Sequence, residues 1–216
     1  MSFTGFPERA LIFYEGLEVD NSKTYWTDHR AVYDDCVKVP MEQLLADLVP
    51  EFGGAKFFRP YRDVRYAKDK TPYKTHAAAV VHRPGGGALY LQFSAAGLLL
   101  GGGAYHPDSA QVQRMRQAIA DDHLGPALQD ELARLRKAGW DIGGNPIKTR
   151  PHGYDNDHPR LDLLRFRALS ASHDYGDQPW LATRDALSRV RRGWRRLAPL
   201  NDWIATHLGS AAAPIR

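Results

Sequence analysis

The chain has 216 residues, 43% hydrophobic and 25% charged, with a formal net charge of +4, and this balance fits one globular domain over residues 1–216. Cys36 is the only cysteine, which excludes an intramolecular disulfide, and the opening MSFTGFPERA carries Glu8 and Arg9 where an export signal needs an apolar run; cytoplasm is the expected compartment. Pro84 to Pro107 is free of Asp, Glu, Lys and Arg, but seven glycines interrupt it, so two buried strands are expected there and no membrane span.

Taken in order, Pro7 suits the first turn of a helix whose apolar face is Ala10, Leu11, Tyr14 and Leu17. Asp20, Asn21 and Ser22 are N-cap candidates for a second helix with Trp26, His29, Tyr33 and Val37 on one face. Pro40 is expected to open a third helix, with Met41, Leu44, Leu45, Leu48, Val49 and Phe52 inward and Gly53-Gly54 ending it. From Ala55 the pattern turns to aromatic and β-branched residues, and AKFFRPYRDVRYA predicts a strand, an edge strand because Pro60 has no N–H to give a neighbour. On a regular strand Asp63 and Arg65 would share one face and Arg62 the other. A turn at 69–72, a strand from His76 to Arg83 and a hairpin of Ala88 to Ser94 with Leu98 to Tyr105 complete a mainly antiparallel sheet.

His106-Pro107-Asp108 then caps a helix carrying Val112, Met115, Arg116 and Ile119, and a further helix runs from Gly125 to Ala138. Residues 143–160 hold too much Gly, Pro and Asn for a regular element. A short helical turn at 161–164, a strand at 165–169 and a long helix from Pro179, with Trp180, Leu187 and Trp194 at intervals of seven, bring the chain to a break at Pro199. Residues 209–216 read as a flexible tail. The expected fold is α+β, an antiparallel sheet packed against N-terminal and C-terminal helices.

Chemistry concentrates in RPYRDVRYAKDKTPYKTH, residues 59–76. Six cations (Arg59, Arg62, Arg65, Lys68, Lys70, Lys74) against two carboxylates (Asp63, Asp69) give this stretch +4, the net charge of the whole chain. Guanidinium forks at Arg62 and Arg65 and point charges at Lys68, Lys70 and Lys74 match a phosphate or carboxylate group. The expected partner is therefore an anionic small molecule, with Asp63 orienting an arginine and Tyr73 and His158 as candidates for proton transfer. A solvated hairpin laced by surface ion pairs is the plain alternative.

At these residues the chain resembles a widespread bacterial and fungal family of conserved hypothetical proteins, a domain of unknown function. Its signature is Arg-Asp-x-Arg-aromatic-small-Lys-Asp-Lys-x-Pro-Tyr-Lys, here Arg62 to Lys74, with Tyr66-Ala67 where the family commonly has Phe-Ser. The likeness extends to Phe3–Phe6, Asn21 and Trp26, Gly101–Gly103, Pro151–Tyr154 and Asp157–Pro159. It implies positions and no activity, and no cofactor can be named from it.

Three weaker constellations complete the reading. His152, Asp155, Asp157 and His158 are metal-binding types, but their spacing matches no metal motif, so no metal is assigned. Gly101-Gly102-Gly103 before a helix start could hold an anion on backbone N–H groups, yet lacks the lysine of a phosphate loop, and tight sheet packing explains it better. Arg184, Arg189, Arg191, Arg192, Arg195 and Arg196 form a basic helix face, which makes a nucleic-acid-binding module the second reading and a non-catalytic interaction protein the third.

Overall fold

The computed structural model describes residues 2–209; the tail expected over 209–216 lies outside the described residues from 210 on. The fold is α+β, built on a six-stranded antiparallel sheet in the order β1-β2-β3-β4-β6-β5. The strands are β1 (Lys56–Phe57), β2 (His76–His82), β3 (Ala88–Ser94), β4 (Gly97–Ala104), β5 (Asp141–Gly143) and β6 (Leu169–Gly176). No described helix is long and apolar enough to cross a membrane. The chain gathers into two compact units, the first made of the N-terminal segment to Val81 with Tyr90–Leu100 and Asp174–Gly193, the second of His82–Leu89, Gly101–His173 and the segment from Trp194.

In the first unit, helix α1 (Glu8–Val19) buries Ala10, Phe13, Tyr14 and Leu17. Phe6 stacks on Phe93 of β3 at 4.3 Å and Tyr14 approaches the same ring at 6.3 Å, so an aromatic cluster fastens the N-terminal segment and α1 to the sheet. After α2 (Lys23–Asp28) and a turn at His29, the helical run is unbroken where a separate start at Pro40 is expected: α3 (Arg30–Val32), a π-helical turn (Tyr33–Lys38) and α4 (Val39–Phe52) follow one another. Pro40 has no N–H to return to the preceding turn, and the wider π-helical turn just before it absorbs that loss without a break. Gly97 opens β4 at φ +98, and a Cβ there would stand 2.0 Å from the Gly176 carbonyl oxygen, so only glycine fits the hairpin end.

In the second unit, α5 (Ser109–Ala120) starts with a complete capping box: the Asp108 carboxylate accepts from Gln111 N at 2.8 Å and the Gln111 side chain accepts from Asp108 N at 3.1 Å. Helix α6 (Leu124–Lys137) buries Leu128, Leu132 and Leu135, and α9 (Ala198–Leu208) buries Leu200, Asn201, Ile204 and Leu208. Gly102 of β4 lets Leu197 and Asn201 approach so closely that a Cβ would sit 2.8 Å from Leu197, which sets the C-terminal helix against the sheet.

Three expected boundaries move. The strand predicted over residues 55–67 is regular only at Lys56–Phe57, because Pro60 cannot donate to the ladder. The strand predicted at 165–169 begins instead at Leu169, since Arg167 N and Ala168 N both donate to Gly144 O (2.7 and 2.9 Å) and hold a turn. The helix expected from Pro179 is a 3-10 turn (Pro179–Ala182), then α8 (Asp185–Arg196) and α9, with Trp180 outside the helix and beneath Arg189. Helix α7 (Leu161–Leu164) is the short helical turn expected there.

Candidate functional site

Residues 58–75 form an arm that continues the β1–β2 edge. Beyond the Lys56↔Val80 and Phe57↔Ala79 pairs, Phe58 N donates to Ala78 O at 2.9 Å. Pairing lapses at Arg59 and returns around a single antiparallel bridge, Tyr61↔Tyr73, with Arg62 N to Pro72 O at 2.9 Å and Lys74 N to Pro60 O at 2.8 Å. Pro60 thus accepts through its carbonyl where it has nothing to donate.

The base of the arm is fixed by two residues from the start of α2. Asn21 bonds both backbone groups of Tyr73, its Nδ2 donating to Tyr73 O at 3.0 Å and its Oδ1 accepting from Tyr73 N at 3.1 Å. The side-chain amide therefore stands in for a neighbouring strand. The expected capping role falls to Ser22, which accepts from Tyr25 N. Trp26 stacks on the Tyr73 ring at 4.3 Å and 7°, and Tyr61 closes on Tyr73 at 5.6 Å. Burial, with Tyr61 nearby, raises the Tyr73 phenol above its ordinary pKa against a smaller opposing pull from Arg30.

The tip, residues 63–71, is laced to itself. Arg65 makes a two-pronged contact with Asp63, Nε to Oδ1 at 2.9 Å and Nη2 to Oδ2 at 2.6 Å. Arg62 donates to the Asp69 carboxylate and to the Thr71 hydroxyl, and Thr71 N donates to Asp69 Oδ1 at 2.9 Å. The Thr71 N–H first, then Arg62, hold the Asp69 carboxyl at about 2, and the Arg65 guanidinium holds Asp63 below its usual value. Lys70 Nζ reaches Val64 O at 2.8 Å; Lys74 Nζ reaches Arg59 O at 2.9 Å and lies 5.3 Å over the Phe58 ring. Partial burial and then Arg59 lower the Lys74 pKa, and burial with Lys74 lowers that of His76. Exposed to solvent, which screens them, these ion pairs shape the tip more than they stabilise the fold.

The carboxylates that Arg62 and Arg65 engage, Asp69 and Asp63, belong to the arm itself. Their charges cancel pairwise, leaving Arg59, Lys68, Lys70 and Lys74 as the arm's positive surplus. An ammonium has three donors, and the backbone contacts of Lys70 and Lys74 to Val64 O and Arg59 O use one each. Tyr66, within the tip, is 96% exposed.

Tyr73 belongs to the first unit and His158 to the second. The His158 Nδ1 accepts from Arg160 N at 3.0 Å, which places the proton of the neutral ring on Nε2, and its ring meets Tyr154 edge-on at 6.2 Å. Within residues 143–160, Arg150 donates to Tyr154 O, while His152, Asp155 and Asp157 are exposed. Among the described residues no three His, Cys, Asp or Glu side chains are grouped closely enough to hold a metal ion.

Sequence reasoning passes over Arg160 in this loop. It is 6% exposed and donates to Ile119 O at 2.6 Å, Ala120 O at 2.9 Å, Asp121 O at 3.2 Å and the Asp122 carboxylate at 3.1 Å, gathering the end carbonyls of α5. Only its place after Pro159 hints at this, and a single sequence shows no reason to prefer it to its charged neighbours.

Of the remaining constellations, the glycine run and three of the six C-terminal arginines are taken up in packing, while Arg192, Arg195 and Arg196 are exposed. Gly103, at φ +117, lies in β4 with room for no Cβ beside Leu169 O. Arg184 donates to Ser2, Arg191 to Asp47 O with an ion pair to Glu51 at 3.3 Å, and Arg189 lies 4.6 Å over the Trp180 ring.

Residues 9–203 match a family model described as conserved hypothetical protein (DUF2461). Neither curated proteins nor solved structures gave a match.

Proposed function

The chain belongs to the conserved hypothetical protein family DUF2461, whose description carries no activity, and from the geometry of the arm we propose that it binds a small anionic molecule through a phosphate or carboxylate group. Lys68, Lys70 and Lys74 are the contacts, with Arg65, held in place by Asp63, presenting its outer edge. One observation carries the reading: the arm keeps four surplus cations after its own carboxylates are consumed, on a hairpin whose base is anchored by Asn21 and Trp26. An anion that replaces the mutual repulsion of these cations with charge-assisted hydrogen bonds gains on both counts.

The test is thermal unfolding of the full chain against inorganic phosphate and citrate, with chloride at matched ionic strength as the control. A saturable rise in the midpoint beyond the chloride control, removed by Lys70→Met and by Arg65→Met, supports the reading. No rise beyond chloride, or a rise that both variants keep, overturns it. Binding of nucleic acid would instead show as retention of single-stranded DNA or RNA falling steeply with salt.

A further inference from the structure

The second unit carries a cleft that neither the family description nor the reading of the arm uses. A recess of about 400 Å³ is lined by Ser109, Val112, Gln113, Arg116, Gln117, His152, Gly153 and Tyr154. An adjoining recess of about 330 Å³ is lined by Pro107, Ser109, Val112, Arg116, Ile147 and Arg167. Ser109, Val112 and Arg116 line both, so the two are parts of one trough along the first turns of α5. Its size falls in the range of small-molecule sites, about 300–1,000 Å³.

The chemistry of the lining is one-sided. Two guanidinium groups, an imidazole, a phenol, a hydroxyl and two carboxamides face the trough, and no aspartate or glutamate lines either part. Arg116 is braced, its Nε donating to Leu164 O at 2.9 Å, which spends one of five N–H donors and holds the guanidinium in a set orientation. Burial raises the Tyr154 pKa, against a smaller lowering by Arg116, so the phenol keeps its proton as a donor. The N-cap carboxylate of α5, Asp108, is engaged in capping the helix. Val112 and Ile147 supply an apolar wall.

The geometry points to this trough as a second binding site, for a small organic anion whose carboxylate or phosphate monoester lies between Arg116 and Arg167. His152 and Tyr154 hydrogen-bond its polar edge, and its carbon skeleton rests on Val112 and Ile147. The site is independent of the arm: its residues all belong to the second unit, and those of the arm to the first.

The experiment is a titration of the isotope-labelled full chain followed by amide resonances, with phenyl phosphate and benzoate as probes, each measured separately so that phosphate and carboxylate preference are distinguished. The expected result is saturable movement of the amides of residues 109–113 and 152–154 with at least one probe. Arg167→Gln, an exposed position that leaves Arg116 braced, should weaken that binding by about tenfold or more, the loss of one charge-assisted contact of about 1.5–3 kcal/mol. Lys70→Met should leave it unchanged. No saturable movement at these amides with either probe overturns the inference, and so does an Arg167→Gln protein that binds as tightly as the parent. Movement confined to residues 59–76 and abolished by Lys70→Met overturns the trough and supports the arm, while the reverse pattern does the opposite.

Discussion

Replacing Asn21 by alanine removes both hydrogen bonds that the arm's base receives from α2, the 3.0 Å bond to Tyr73 O and the 3.1 Å bond to Tyr73 N. Each is worth about 0.5–1.5 kcal/mol net, so the pair contributes about 1–3 kcal/mol. The bonds hold the arm and not the sheet, so the loss should appear first as local opening. Hydrogen exchange reads this at the amides of Arg62 and Lys74, which donate to Pro72 O and Pro60 O across the arm. Their protection should fall about five- to a hundredfold, while that of Ala79, paired with Phe57 in β1, stays within about twofold. Asn21→Asp gives a sharper version. At neutral pH a carboxylate oxygen would face the Tyr73 carbonyl, which disfavours the charged form and raises the aspartate's folded-state pKa. The protonated acid restores the donor, so the arm should regain protection as pH falls. Unchanged Arg62 and Lys74 amides in Asn21→Ala would refute the claim that this side chain stands in for a strand.

Two further outcomes follow from the same geometry. Asp69 has its folded-state pKa depressed to about 2, so its support for the tip is complete above the ordinary carboxylate value of about 3.9 and is lost as pH falls toward 2; the Thr71 amide resonance should titrate with a midpoint near 2, and a midpoint near 4 would show the carboxylate to be unengaged. Arg160→Met should cost about 2–4 kcal/mol in urea unfolding because three carbonyls at the end of α5 lose a buried donor, whereas Asp122→Asn, at a carboxylate 95% exposed, should change stability by less than about 0.5 kcal/mol.

The two halves of the arm show how far sequence reasoning reaches. The contact of Asp63 with Arg65 follows from proximity along the chain and is legible as an i, i+2 pair. Arg62 turns to Asp69, seven residues on, because the tip folds back through Asp69 and Thr71, which strand alternation does not foresee. Tyr73 reads as a proton-transfer candidate by residue type alone, yet its ring is stacked on Trp26, 47 positions earlier, and its backbone is held by Asn21, 52 positions earlier. Gly101–Gly103 reads as a backbone anion cradle or as sheet packing, and the tight approaches of Ala88, Leu197 and Leu169 decide for packing.

By itself the sequence determined what depends on local pattern: the α+β class, the apolar faces of α1, α4 and α6, the capping box at Asp108, and the concentration of positive charge in residues 59–76. These follow from periodicity and composition, which act over a few residues. The tertiary structure alone decided that Arg62 is spent on Asp69, that Asn21 anchors the arm instead of capping a helix, and that Arg116 and Arg167 share a trough lined by no carboxylate. The first depends on a tip that folds back on itself, and the other two on groups tens of residues apart being brought together by how the chain buries its core, which no local pattern records.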